Sequence, residues 1–416
     1  MAPSEQSILL PLKSMNIQIN HSKQKFLFVL SITAIYIVLM FWLDFLQGPY
    51  WYDEQTFWNT SLTFSDRLIP RIEDLRDYTE LNTPLPFIIF GALEYLFDRG
   101  IFTGRLLNLI LSLIIVFIIG YPRQSNRSRA ILCLIGLFMC PYYLWLSGRL
   151  YTEMISCFWV IMGFISYIRN RHLISCIAFI LAIASRQYML AFPIAIATYE
   201  FIVTIKNINH FSSITSLVKW RWLAPLIAAS SILVWIYLFG GLVPETALEV
   251  RPAPEVQRST WALKPGGILN FLSFVGIYIV IPESILFRTS LSFQAFKKHR
   301  RKIIIIAAAL LLYFTIFPPL LVGSGNIAKL ANLLPYNLLK MLLYYGLCLL
   351  ACVRFSQFNL ISLIVLFNSL IMVKAYPWDR YVLPLVVVFW YLKSIEFQEQ
   401  SKQDKPQEES IVARLS

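Results

Sequence analysis

The feature that most constrains this 416-residue chain is a series of long apolar runs separated by short polar segments. Twelve such runs lie at about 26–46, 101–120, 130–147, 150–168, 173–186, 188–205, 222–242, 268–288, 303–322, 338–352, 358–374 and 381–393. Hydrophobic residues make up 57% of the chain and charged residues 14%, a composition typical of chains that cross a bilayer repeatedly. The sequence therefore predicts an all-α, polytopic membrane bundle of about 12–13 transmembrane helices.

The polar ends of the chain frame one transmembrane domain. Residues 1–25 form a mildly basic tail, and residues 394–416 are rich in Glu, Gln, Ser and Lys, which predicts a disordered tail. The first apolar run is too long for a signal-peptide core and no small-residue cleavage site follows it, so we expect it to be retained as a span. The predicted transmembrane domain is 26–393.

The orientation follows from four polar segments that are rich in Lys and Arg and lack acidic residues. Their basic residues are Arg123, Arg127, Arg129, Arg169, Arg171, Lys206, Lys219, Arg221, Lys297, Lys298, Arg300, Arg301 and Lys302. The positive-inside rule places these segments, and with them the 1–25 tail, in the cytoplasm. The same segments account for the net charge of +13, so no nucleic-acid partner is expected. Loops 47–83 and 243–267 are then external.

One further apolar segment, 84–97, bears on this topology. Its 14 residues would extend only about 21 Å as a helix, and counting it as a full span would reverse every later loop. We interpret it as a short re-entrant or interfacial segment, which gives about 12 spans; 13 spans remain the alternative.

The first external loop carries an acidic pair, Asp53-Glu54, a few residues beyond the first span. Residues 47–86 contain seven carboxylates and three arginines, although the chain as a whole is basic, and we expect short amphipathic helices here. Adjacent carboxylates beside aromatic rings at a membrane surface suit the removal of a proton from a bound hydroxyl group. The alternative is a solvated loop whose acids only balance its arginines.

Histidine, metal and cofactor chemistry are not predicted at the external face. All four histidines fall in segments predicted to be cytoplasmic: His21, His172, His210 and His299. An external general base must therefore be a carboxylate. The six cysteines lie within apolar runs, which favours packing over a metal site or disulfides, and no nucleotide-binding or hydrolase motif occurs.

Arginines at the external ends of spans are candidates for anion binding. Arg186-Gln187 interrupts the stretch LAIASRQYMLAFP with no acidic residue nearby in sequence. Such an arginine is costly in a membrane and faces a partner or a cavity, and bidentate contact with phosphate is one explanation. The alternative is an arginine that snorkels to the interface.

Other polar residues fall at the same predicted ends, and they are Asn82, Arg105, Arg149 and Arg380. Each has a plain structural alternative. Asn82 can cap the helix that Pro84 opens, Arg149 can form an i,i+4 ion pair with Glu153, and Arg380 can belong to a simple turn.

In these motifs the sequence resembles the GT-C superfamily of integral-membrane glycosyltransferases. The matching segments are Tyr52-Asp53-Glu54, Asn82-Thr83-Pro84-Leu85-Pro86, Arg186-Gln187 and Asp379-Arg380-Tyr381-Val382-Leu383-Pro384. Protein O-mannosyltransferases, lipid A aminoarabinose transferases and the α-1,2-glucosyltransferase of the endoplasmic reticulum look like this. The chain departs from several bacterial members because no histidine precedes Pro84, and without a large C-terminal soluble domain it departs from protein-acceptor subfamilies.

The resemblance implies transfer of a sugar from a polyprenyl-phosphate donor to a lipid-linked or glycan acceptor, with inversion of configuration. Asp53 would be the base, and Glu54 would orient the acceptor or modulate Asp53. The residues implied in binding the donor phosphate and substrate are Arg186, Gln187, Arg380, Arg105, Asn82 and Arg149. No cofactor is implied, and a bacterial plasma membrane is favoured over that of the endoplasmic reticulum.

Two other classes of function remain open from the sequence. The first is a transporter or lipid flippase, whose substrate or proton path would use Glu94, Glu200 and Glu283. The second is a non-catalytic membrane scaffold, which would need neither Arg186 nor the Asp53-Glu54 pair.

Overall fold

A computed structural model describes residues 25–42, 46–121, 127–206, 220–251, 255–259, 261–287, 300–321 and 325–395. These residues form helices, turns and loops without a β-strand. The helices are α1 Lys25–Phe41, α2 Tyr52–Leu62, α3 Ile72–Arg76, α4 Leu85–Phe97, α5 Ile101–Gly120, α6 Arg127–Phe138, α7 Pro141–Ser147, α8 Glu153–Ile168, α9 His172–Ser185, α10 Gln187–Lys206, α11 Trp220–Phe239, α12 Glu245–Val250, α13 Glu255–Arg258, α14 Gly266–Phe287, α15 Arg300–Ile316, α16 Asn326–Asn332, α17 Asn337–Arg354, α18 Leu360–Lys374 and α19 Leu383–Ser394. The predicted all-α fold is confirmed.

Five helices are long and apolar enough to cross a bilayer: α5, α10, α11, α14 and α17. Helices α6 and α7 together would make a sixth span that is bent by 78°. Shorter apolar helices include α1, α4, α8, α9 and α18. The structure thus shows several apolar helices of membrane-spanning length, whereas the total of 12 or 13 crossings stays a prediction.

The bend between α6 and α7 corrects the interpretation of 130–147 as one uniform run. Cys140 has an extended backbone, and Pro141 follows it at the first position of α7. Proline has no N–H to donate and fits the first turn of a helix, so the chain stops one helix here and begins another.

The two predicted external loops pack against each other. Thr246 donates its backbone N–H and its hydroxyl to the carboxylate of Asp77, at 3.1 and 2.5 Å. Arg251 forms an ion pair with Glu80. Segments 46–83, 240–251, 255–259 and 261–265 therefore lie at one end of the bundle, called the loop end below.

The segment 84–97 forms the 13-residue helix α4, and both of its neighbours contact the loop end. On one side, Thr83 donates its hydroxyl to the carbonyl oxygen of Ile183, two residues before α9 ends. On the other side, Arg105 in the first turns of α5 binds Glu54 in α2. Both contacts fit a re-entrant or interfacial segment, and that interpretation of 84–97 stays a prediction.

Acidic residues in the apolar helices away from the loop end are engaged in ion pairs. Glu283 in α14 binds Arg354 at the C-terminus of α17, with 2.7 Å between Oε2 and Nε, and it also binds Lys393 near the end of α19. These contacts join three helices at the end predicted to be cytoplasmic.

Several predicted features fall largely outside the described residues. They are the 1–25 tail, the 394–416 tail, most of the basic segments at 122–129, 206–221 and 297–302, and the histidines His21, His210 and His299. The described cysteines are free thiols, and five of the six are buried, as expected for packing residues.

The first prediction concerns topology. In a cysteine-free background, Ile69→Cys and Trp261→Cys should react with a membrane-impermeant thiol reagent added outside, because these exposed residues lie in segments of the loop end. Arg171→Cys and Arg300→Cys should react only after the membrane is made permeable. Labelling of all four from the same side would contradict the topology.

The second prediction concerns the packing of α4 on α2. A Cβ at Gly91 would lie 2.6 Å from the carbonyl oxygen of Ser61 and 2.8 Å from the carbonyl carbon of Phe64, so Gly91→Ala should destabilise the fold by about 1–3 kcal/mol. Gly346→Ala in α17 is the matched control, because nothing lies within 4 Å of its Cβ, and it should stabilise slightly. Thermal unfolding in one detergent measures both. Equal unfolding temperatures would contradict this packing.

Candidate active site

Asp53 occupies the first turn of α2, directly before the buried Glu54. Its side chain is 25% exposed, and it lines two cavities at the loop end. The carboxylate Oδ2 accepts a hydrogen bond of 2.9 Å from Nη1 of Arg380. No other described residue forms a hydrogen bond with this carboxylate, so Oδ1 is available to accept a proton.

Arg380 comes from the short 3-10 turn Asp379–Val382 that precedes α19. Its guanidinium is buried, and it stacks on Trp378 with 3.7 Å between Cζ and the ring centre. The turn is fixed by Asp379, whose carboxylate accepts hydrogen bonds from the hydroxyls of Tyr142 and Tyr278 at 2.5 and 2.9 Å. Two other helices thereby hold Arg380 opposite Asp53.

Opposite charges alternate along a row of four side chains, Asp53, Arg380, Glu153 and Arg186. Nε of Arg380 and Nη2 of Arg186 lie 3.4 and 3.0 Å from Oε1 of Glu153, the first residue of α8. Arg380, Glu153 and Arg186 are all at least 95% buried, so Asp53 is the most exposed member of the row.

The environment keeps both arginines charged. Burial alone would lower the pKa of Arg380, but the carboxylates of Glu153 and Asp53 and the neighbouring tyrosines raise it overall. The pKa of Arg186 is likewise raised, because Glu153 outweighs the effect of burial. Burial raises the pKa of Tyr151 beside them, so its phenol stays protonated and remains a hydrogen-bond donor.

This row supplies a partner for Arg186 that its local sequence does not show. No acid lies near Arg186 in the sequence, but Glu153 reaches it from α8. Nε of Arg186 also donates to the hydroxyl of Thr152 at 2.5 Å. Glu153 opens α8 and Arg149 precedes the helix, so the two do not share a helical face, which removes the premise of their i,i+4 pair.

Glu54 is fully buried and holds the first loop against the bundle. Its two oxygens each accept a hydrogen bond of 2.7 Å from Arg105. Nη1 of Arg149 lies 3.5 Å from Oε2, and the backbone N–H groups of Leu150 and Trp51 donate to the carboxylate. With both oxygens engaged, Glu54 acts as a structural anchor, and the geometry does not favour a role in orienting the acceptor.

Arg105 belongs to the same anchor. Beyond Glu54, its guanidinium donates to the carbonyl oxygens of Leu46, Gly48 and Pro49 at 3.0, 2.7 and 3.4 Å. The N–H donors of Arg105 are therefore engaged by other groups of the protein, and the structure favours a positioning role for Arg105 over contact with phosphate.

Asn82 lines one cavity, and Gln187 contacts the residue that precedes it, Leu81. Nε2 of Gln187 donates to the carbonyl oxygen of Leu81 at 2.8 Å, which joins α10 to the first loop. The carbonyl oxygen of Asn82 accepts from the hydroxyl of Tyr78, and Asn82 lines the cavity beside Arg186. The predicted site residues Asp53, Asn82, Arg186 and Arg380 therefore converge on one place.

Two cavities share Asp53, Trp378 and Arg380 in their walls. The larger, the Lys329 cavity, has a volume of about 650 Å³, and the smaller, the Arg186 cavity, about 360 Å³. The Lys329 cavity is further lined by Trp51, Tyr142, Trp145, Tyr151 and Lys329. The Arg186 cavity is further lined by Thr56, Glu80, Asn82, Arg186 and Arg251. Two ligands could thus approach Asp53 from two sides.

Sequence reasoning missed several residues of the site. Glu153 was assigned to a local ion pair, and Trp378, Tyr151 and Lys329 carry no motif that separates them from other aromatic or basic residues at span ends. The sequence contained one indication of this part of the site, because Gly325 lies between polar residues just before a short helix. A Cβ there would lie 2.0 Å from Oδ1 of Asp379, and its φ of +133° favours glycine.

No metal site emerges from the described residues, which contain no group of three or more His, Cys, Asp or Glu side chains placed to hold an ion. His172, the histidine that the structure describes, begins α9, and Arg186 directly follows the other end of that helix. Fourteen helical residues extend about 21 Å, which separates His172 from the cavities.

Compared with protein-family models, curated proteins and solved structures, the chain gives no match. The resemblance to the GT-C superfamily therefore rests on the short sequence motifs, and it enters below as a proposal.

The third prediction separates the two adjacent carboxylates by stability. Glu54→Gln should destabilise the fold by about 3–5 kcal/mol, because it leaves the buried Arg105 without its counter-charge. Asp53→Asn should cost about 1 kcal/mol or less, because its carboxylate is partly exposed and Arg380 keeps Glu153. Thermal unfolding of both variants in one detergent gives the order. A Glu54→Gln variant as stable as the wild type would return Glu54 to the candidate catalytic residues.

Proposed function

We propose that this protein is a membrane glycosyltransferase of the GT-C type. It would move a sugar from a polyprenyl-phosphate donor to a lipid-linked or glycan acceptor at the external face. The observation that carries the proposal is the position of Asp53, a partly exposed carboxylate at the junction of two cavities. A transfer reaction needs such a place, where a base meets two substrates at once.

The chemistry is a single displacement. Oδ1 of Asp53 accepts the proton of the acceptor hydroxyl as that oxygen forms a bond with the anomeric carbon. The bond from the anomeric carbon to the phosphate oxygen breaks on the opposite face, so the configuration inverts. Arg380 binds Oδ2 and orients the carboxylate, and its buried, raised-pKa guanidinium keeps a positive charge beside the negative charge that develops on phosphate.

The contacts support an enzyme over a transporter. A transporter would use Glu94, Glu200 and Glu283 along the path of its substrate or protons, but none of the three lines either cavity. Oε2 of Glu94 accepts from the backbone of Gly100, Glu200 binds Tyr167 and lies 3.5 Å from Arg221, and Glu283 binds two cations. These acids brace helices within the described part of the chain.

The proposed partners are the polyprenyl-phosphate sugar, the acceptor and the lipid bilayer. Helices of membrane-spanning length support the bilayer. A bacterial plasma membrane is proposed over the endoplasmic reticulum, since the resemblance in the Asp379–Pro384 segment is to bacterial members.

The fourth prediction tests the base. Asp53→Asn keeps the shape of the side chain but cannot accept the proton, so it should lower kcat by about 10²–10⁴ and leave donor binding near normal. The assay follows transfer from a panel of radiolabelled polyprenyl-phosphate sugars to glycolipid acceptors by purified protein in lipid. Asp98→Asn is the matched control, because Asp98 is exposed, lies outside both cavities and has the left-handed backbone that asparagine tolerates.

Near-normal turnover of Asp53→Asn would remove the carboxylate from the chemistry. Transfer by the wild type from no donor of the panel would overturn the proposed function itself.

A further inference from the structure

The Lys329 cavity contains an unusual cation. Lys329 lies on α16, a helix with one side buried and one side on the cavity. Asn326, Lys329 and Asn332 line the cavity at i, i+3 and i+6, while Ile327, Ala328 and Ala331 are buried against the bundle. The short helix thus presents one ammonium group to the cavity that Asp53 borders.

Lys329 differs from the arginines of the site because it has no carboxylate partner in the described part of the chain. Arg186 and Arg380 share Glu153, and Arg380 also binds Asp53. No carboxylate in the described part of the chain forms an ion pair with Lys329, which is exposed. A cation without a counter-ion attracts an anionic ligand without first breaking an internal ion pair, so Lys329 is better placed for this than Arg186.

An apolar surface continues from Lys329 into a span. Leu330 in α16 and Leu333 directly after it are 42% and 79% exposed. Leu338 and Leu342, four residues apart, are exposed on one side of α17, one of the helices long enough to cross a bilayer. An ammonium group at the head of an apolar track suits a ligand with a phosphate head and a long hydrocarbon chain.

The Arg186 cavity has a different character. Its wall includes Arg251 and Gln257 from the second loop, and Arg251 binds Glu80 of the first loop. Each of its three arginines has a carboxylate partner: Glu80 binds Arg251, Glu153 binds Arg186, and Asp53 binds Arg380. This cavity suits a hydroxyl-rich sugar that enters from the aqueous side.

From these contrasts we propose that the phosphate of the polyprenyl donor binds Lys329, with its chain along the apolar surface of α16 and α17, and that the acceptor occupies the Arg186 cavity. The proposal rests on the proposed function and assigns its two substrates to separate sides of Asp53. Arg186 then positions Glu153 and Arg380 and does not contact the phosphate.

The test measures binding of polyprenyl phosphate without a sugar to purified protein in nanodiscs of neutral lipid. Lys329→Met should weaken binding about 10- to 100-fold, the range expected for the loss of a charge-assisted hydrogen bond. Lys329→Arg keeps the charge and should bind within about threefold of the wild type. Lys264→Met is the matched control, because Lys264 is exposed at the loop end and lines neither cavity, and it should bind as the wild type does.

Two competitors separate the possible sources of the signal. Unphosphorylated polyprenol should compete poorly, which shows that the phosphate is recognised, and phosphatidic acid should compete poorly, which shows that the polyprenyl chain is. Equal competition by phosphatidic acid would overturn the polyprenyl assignment in favour of a general lipid phosphate site.

The remaining outcomes divide the two proposals. If the wild type binds polyprenyl phosphate and Lys329→Met binds it equally well, or if Arg186→Lys alone weakens binding, the assignment to Lys329 is overturned and the transferase proposal stands. If the wild type binds polyprenyl phosphate no better than polyprenol, both are overturned.

Discussion

The arrangement of the loop end depends on the buried ion pair between Glu54 and Arg105. Arg105 projects from the first turns of α5 and binds Glu54 of α2 together with three carbonyl oxygens of the chain that leaves α1. A buried charge without its partner costs several kcal/mol, so these two elements are held in one relative position. That position sets the place of Asp53, because it precedes Glu54 on the same helical turn.

The second constraint is the alternation of charge from Asp53 to Arg186. A buried arginine is tolerated where carboxylates and hydrogen bonds compensate it, and here Glu153 compensates two at once. The row ends at Asp53, its most exposed member, which borders both cavities. Its two carboxylates balance its two arginines, and such a network combines a rigid site with one partly exposed reactive group.

The helices could be predicted because a segment that spans a bilayer is recognised by its length and its apolar composition. The run 101–120 coincides with α5, and 173–186 lies within one residue of α9 at each end. The cavity brings together Asp53, Asn82, Arg186 and Arg380, and the topology predicted only that these residues share one side of the membrane. Their ion pairs could not be predicted, because Glu153 and Asp53 reach their arginines across about 30 to 330 residues of sequence, and patterns in a single sequence carry only local spacing.

The two adjacent carboxylates of the acidic pair have different roles. Successive helical residues point about 100° apart, so of two adjacent carboxylates one can face the bundle while the other faces a cavity. Glu54 lies inside, where Arg105 and backbone N–H groups consume its oxygens. Asp53 lies at the surface of the same turn with one oxygen on Arg380. The buried carboxylate fixes the loop, and that fixed loop is what gives the exposed carboxylate a defined position between two cavities.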